Sequence, residues 1–105
     1  MKFGLKDEVV QRINNVFEYF PEIDAAILYG SRAKGNFKPA SDIDLTLKGD
    51  RLNLTIINKI RLMLNDLLLP FTFDISIYKS LKNKDLVEHI DRVGIVFYSK
   101  AVVST

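Results

Sequence analysis

The sequence predicts an α+β fold, or a mixed α/β one: a small sheet with helices packed on one face. Two observations carry that expectation. Stretches with apolar residues every three or four positions alternate with short runs of period two, and neither an internal repeat nor a linker divides the chain. With 105 residues, 48% of them hydrophobic and 27% charged, the chain is of a length to bury one ordinary core. Residues 1–100 are therefore expected to form one domain, and 101–105 a flexible tail.

From Lys6 to Phe20 the residues Val9, Val10, Ile13, Val16, Phe17 and Phe20 recur at helical spacing, and Pro21 closes that helix. Ala25 to Tyr29 is a short apolar run ending at Gly30, the pattern of a buried strand entering a tight turn. After a loop containing Pro39, Asp42 to Leu47 alternates polar and apolar residues and predicts a half-buried second strand. Leu52 to Leu68 is helical in period, with Pro70 as its stop. Phe71 to Tyr78 alternates again, setting Phe71, Phe73, Ile75 and Ile77 on one face and Thr72, Asp74, Ser76 and Tyr78 on the other. Lys84 to Val93 predicts a last helix, followed by Gly94 and an extended stretch from Ile95 to Tyr98.

The chain has no cysteine, which removes disulfides, thiol nucleophiles and thiolate metal sites, so a metal would need oxygen ligands or the single His89. A net charge of +2 is small for a nucleic-acid binder, although Arg32, Lys34, Lys38 and Lys48 crowd one stretch and could meet phosphates. Direct nucleic-acid binding is not expected. The first ten residues contain Lys2, Lys6, Asp7 and Glu8, and even Leu62 to Leu69 is interrupted by Asn65 and Asp66. Neither a leader nor a membrane span is expected, and a cytoplasmic location is the default.

The sharpest chemical feature is the pair Asp42 and Asp44, whose period of two projects both carboxylates from one strand face. Pairing with the strand of Asp74 would bring a third carboxylate to the same place. Clustered carboxylates repel one another unless a hard cation neutralises them, and magnesium suits such a site. An isolated pair of this kind could equally solvate the open face of a sheet. Upstream, Gly30, Ser31 and Arg32 stand where a strand turns into a short helix, a corner whose backbone amides and hydroxyl favour an anion. Alone, that corner could be an ordinary capped turn. Arg32 could contact a phosphate oxygen or lie in solvent, and Tyr78 could line a nucleotide pocket or flank it. His89, apart from the aspartates in sequence, is assigned no role.

The combination Gly30-Ser31-Arg32-Ala33-Lys34-Gly35, then Ser41-Asp42-Ile43-Asp44-Leu45, then Asp74 in an apolar strand, resembles the minimal nucleotidyltransferases of the DNA polymerase β-like superfamily. The match extends from the first helix to about Tyr98, with Lys34 where arginine is frequent and a bulkier loop at Asn36-Phe37. The resemblance implies that Gly30 and Ser31, with Arg32 beside them, bind the triphosphate. It also implies that Asp42, Asp44 and Asp74 are catalytic and hold two magnesium ions, with ATP as the substrate.

Many short members of that family are antitoxins paired with an all-helical HEPN-type toxin, some of which attach AMP to it. The resemblance thus implies adenylyl transfer to a partner protein, within a hetero-oligomer. A binding-only antitoxin, and transfer to a small molecule or nucleic acid, are the alternatives.

Overall fold

The computed structural model describes residues 2–100; the expected tail at 101–105 lies outside the described residues. Among the described residues nine elements follow one another: helix α1 (Asp7–Glu18), strand β1 (Ala25–Tyr29), helix α2 (Ser31–Lys34), strand β2 (Ile43–Lys48), helix α3 (Leu54–Asp66), strand β3 (Phe73–Ile77), a 3-10 turn (Tyr78–Ser80), helix α4 (Lys84–Val93) and strand β4 (Ile95–Ser99). The sheet runs β3-β2-β1-β4. β1 is antiparallel to both its neighbours, whereas β2 and β3 are parallel, with α3 as their crossover.

The helices begin and end where local chemistry stops them. Asn53 and Asn83 accept from the backbone N–H groups of Ile56 and Leu86, capping α3 and α4. α3 ends at Asp66, two residues before the expected Leu68, because Leu68 turns into the left-handed region at φ 55°. Arg12 of α1 then donates to the carbonyl of Leu67 at 2.8 Å, satisfying one of the acceptors that a helix end leaves open.

Strand alternation divides the interior. Ala26 and Leu28 of β1, Ile43, Leu45 and Leu47 of β2, Ile75 of β3 and Phe97 of β4 face α1 and α3, meeting Ile13, Val16 and Phe17 from the first and Ile57, Ile60 and Leu64 from the second. Ile27 and Tyr29 point the other way and pack against Ile90 of α4. The α+β class is thus as expected, but helices on one face describes only α1 and α3. β1 is apolar on both sides, and α4 returns over its second face to bury Ile27 and Tyr29. The part of that face over β2 and β3 holds the polar residues of both strands. Among the described residues, no helix is long and apolar enough to cross a membrane.

Candidate active site

Parallel pairing of β2 with β3 sets Asp44 directly beside Asp74, and antiparallel pairing with β1 sets Tyr29 beside Asp44. The adjacency of carboxylates expected from strand faces is therefore a register fact. Asp42 lies one residue ahead of β2 rather than within it, and is exposed. Burial, then the charges of Asp74 and Asp42, push the Asp44 carboxyl up to about 6, against a smaller opposing pull from Arg32.

Among the described residues, no three acidic or histidine side chains are drawn together closely enough to form a preassembled metal cage. The donors nevertheless fit a hard cation. They are carboxylate oxygens, and the burial and neighbouring charges that raise Asp44 both penalise its ionised form, a cost that a divalent ion relieves.

The raised Asp44 has a measurable consequence. Because its folded-state pKa of about 6 exceeds the ordinary 3.8, this group favours the folded state most when protonated. Its contribution is full below about pH 4 and is lost as the pH rises through about 6. Urea melts of the metal-free protein should show this increment between those limits, and the Asp44→Asn variant should lack it. Affinity for a magnesium-bound nucleotide should change in the opposite sense, weakening as the pH falls below about 6.

Gly30 ends β1 with φ 74° and ψ −154°, a conformation almost confined to glycine. A Cβ built there would lie 2.3 Å from Oδ2 of Asp44, so the missing side chain is what lets the carboxylate sit against the turn. Ser31 opens α2, whose first N–H groups lack intrahelical partners as at any helix start. The Gly30 N–H itself donates to Nε2 of His89 at 3.3 Å, and the His89 ring meets Tyr29 edge to face at 6.3 Å. α4 thus braces the turn through a histidine that the sequence left without a role. Its one sequence signal is its place three residues after Leu86, on the helix face that carries Ile90.

Arg32 is placed in neither of the positions expected for it. It is 2% exposed, between the rings of Phe37 and Phe71, with its guanidinium carbon 5.3 and 5.1 Å from their centroids. Its nitrogens donate to the carbonyls of Ser41, Phe3 and Pro39. Ser41 precedes Asp42, so Arg32 pins the loop that presents the first aspartate. Arg32→Ala should cost about 3 kcal/mol and lower Tm by roughly 15 °C, since three carbonyls lose a donor that is charged and itself buried. Arg32→Lys should recover only part of this, because one ammonium cannot span the fork; thermal melts of both variants check it.

Tyr29, Thr46 and Ser76 complete the floor. Ser76 donates to Thr46 across the strand pair at 2.9 Å. Burial, then the charge of Asp74 and more weakly that of Asp44, raise the Tyr29 phenol, and the neighbouring Ser76 hydroxyl partly offsets them. Tyr78 lies further along the same face, its hydroxyl 2.6 Å from Asp91 of α4.

The family model of polymerase beta nucleotidyltransferases matches residues 11–102. No curated protein matches significantly. Among solved structures, a toxin-antitoxin crystal structure with AMP-PNP is similar at a TM-score of 0.70 and 18% identity, over 87% of this chain and 73% of that one. A complex of tri-AMPylated Shewanella oneidensis HEPN toxin with MNT antitoxin gives 0.66 and 15%, over 91% and 74%. The MntA-HepT toxin-antitoxin structure gives 0.65 and 15%, over 90% and 74%.

Proposed function

The chain belongs to the polymerase beta nucleotidyltransferase family, and from that premise we propose that it transfers AMP from ATP to a hydroxyl of a helical HEPN-type partner protein, as the antitoxin of a toxin-antitoxin pair. The observation that carries the reading is the side-by-side register of Asp44 and Asp74 beneath the Gly30 turn. The partner and the nucleotide are suggested by similar structures, one of a toxin-antitoxin with AMP-PNP and one of an AMPylated HEPN toxin bound to an MNT antitoxin.

In this reading residues 1–100 act as one transferase domain. Gly30, whose N–H is given to His89, binds the triphosphate by letting it approach the turn closely, and Ser31 donates to it through its hydroxyl; Arg32 serves them by fixing the Ser41 carbonyl rather than by touching phosphate. Two magnesium ions, held by Asp42, Asp44 and Asp74, would neutralise the triphosphate and make the acceptor hydroxyl more acidic. The acceptor oxygen forms its bond to the α-phosphorus as the bond to the bridging oxygen breaks, and pyrophosphate leaves in line. The acceptor proton passes to the Asp74 carboxylate. Tyr29, within reach of both carboxylates and Ser76, keeps that part of the floor shielded from water.

The test combines the chain, its HEPN-type partner, magnesium and ATP labelled at the α-phosphate. Label on the partner that disappears with Asp42→Asn is the expected result. Full neutralisation of the partner by Asp42→Asn would instead favour an antitoxin that works by binding alone.

A further inference from the structure

In-line displacement fixes two opposite directions at the reacting phosphorus: the pyrophosphate leaves on one side and the acceptor arrives from the other. The sheet supplies both. Gly30 and Ser31 follow the end of β1 that pairs with Asp44, so the triphosphate turn lies off the edge where β2 and β3 begin. Opposite that turn, the polar face continues from Asp44 and Asp74 over the hydroxyl pair Thr46 and Ser76 to Lys48 and Tyr78. There it opens into a cavity of about 290 Å³ lined by Lys48, Gly49, Asp50, Tyr78 and Lys79. Four residues of strand separate Asp74 from Tyr78, about 13 Å.

The lining carries two lysines against one aspartate and is partly fixed. The Lys48 ammonium rests 4.6 Å from the centroid of the Tyr78 ring, a weaker partner than a carboxylate, and so remains open to an anion. Asp91 anchors the Tyr78 hydroxyl from α4. Lys79 is bridged to Asp50 at 3.6 Å, but both are largely exposed, and such a pair exchanges readily for another carboxylate.

We infer that this cavity is the acceptor-side subsite, and that it receives an acidic side chain two or three residues from the acceptor hydroxyl of a polypeptide. The inference rests on the proposed transfer reaction for its direction. Two or three extended residues span about 7 to 10 Å, and the side chains at either end cover the rest of the distance to Asp74. The carboxylate meets Lys48 and Lys79, and the Tyr78 ring supports the chain.

Amide resonances of the full chain test this with a Glu-Glu-Tyr-Glu-Glu peptide, a Lys-Lys-Tyr-Lys-Lys peptide and magnesium with a non-hydrolysable ATP analogue. The acidic peptide is expected to shift Tyr78 and Lys79, the basic peptide to leave them in place. Lys48→Glu and Lys79→Glu, both at exposed positions, should each weaken acidic-peptide binding about tenfold or more. Equal response to both peptides, or undiminished binding by both variants, overturns the inference. The analogue should shift Gly30 and Ser31 and spare Tyr78 and Lys79; shifts at the latter pair would make the cavity a nucleotide pocket and overturn it too. If the analogue shifts nothing while the acidic peptide still selects the cavity, the transfer reaction fails and acidic-peptide recognition stands.

Discussion

Asp44→Asn is expected to lower nucleotidyl transfer by about a thousandfold while raising the Tm of the metal-free protein at pH 8. The loss follows from removing the central carboxylate, the one placed beside Asp74 by register and beside Gly30 by contact. Metal-assisted charge neutralisation is worth several kcal/mol, and about 4 kcal/mol corresponds to that factor. The gain in stability has the opposite origin. At pH 8 the wild-type Asp44 is ionised although burial and two neighbouring carboxylates disfavour the charge, and the amide has no charge to desolvate. A residue that costs the empty fold stability would have its use once the proposed ions and triphosphate are bound. Steady-state transfer assays and thermal melts on the same preparations check both halves. A variant that lost activity together with several degrees of Tm would point to a structural aspartate instead.

Gly30→Ala should be damaging in both respects. Its φ of 74° and ψ of −154° strain any residue with a side chain, at roughly 1 to 3 kcal/mol. That alone should lower Tm by about 5 to 15 °C in a domain of this size. The new methyl also collides with Asp44 Oδ2, the end of a side chain that can swing aside only by leaving its place beneath the turn. Transfer should therefore fall further than the unfolded fraction explains. Measuring activity well below the new melting temperature separates the two effects. Gly35→Ala is the control, since that glycine also has a positive φ, 83°, but no atom lies within 4 Å of its added Cβ. It should lose stability and keep most activity.

Most strands and helices are legible because the period of their apolar residues is written in the sequence, and β1 because it is an unbroken apolar run ending at Gly30. Lys84 to Val93 and Ala25 to Tyr29 have the expected bounds, and β3 shows the predicted division of faces. The ends were less legible where a single backbone angle decided them, as at Leu68. The placement of α4 was hidden for a different reason. Ala25 to Tyr29 reads as an unbroken apolar run, which says that both faces are covered but not by which helix. In the candidate site, the neighbours of Asp44 could be listed by residue type, but their closeness depends on parallel pairing across α3, which no local pattern encodes. Arg32 is the plainest case. A cation beside a glycine-serine turn suggests phosphate, whereas Phe37, Pro39 and Ser41 of the following loop, with the distant Phe3 and Phe71, make it an internal brace. His89 acquires its contact with Gly30 across a separation of 59 residues.

In the proposed reaction Asp42, Asp44 and Asp74, under the Gly30-Ser31 turn, form a metal-dependent triphosphate site. Calorimetric titration with a non-hydrolysable ATP analogue tests it most directly, run on the wild type and Asp44→Asn with magnesium and with EDTA. Binding by the wild type that requires magnesium, and that Asp44→Asn loses, is the expected result. Binding of equal strength in EDTA, or by Asp44→Asn as tightly as by the wild type, would contradict it.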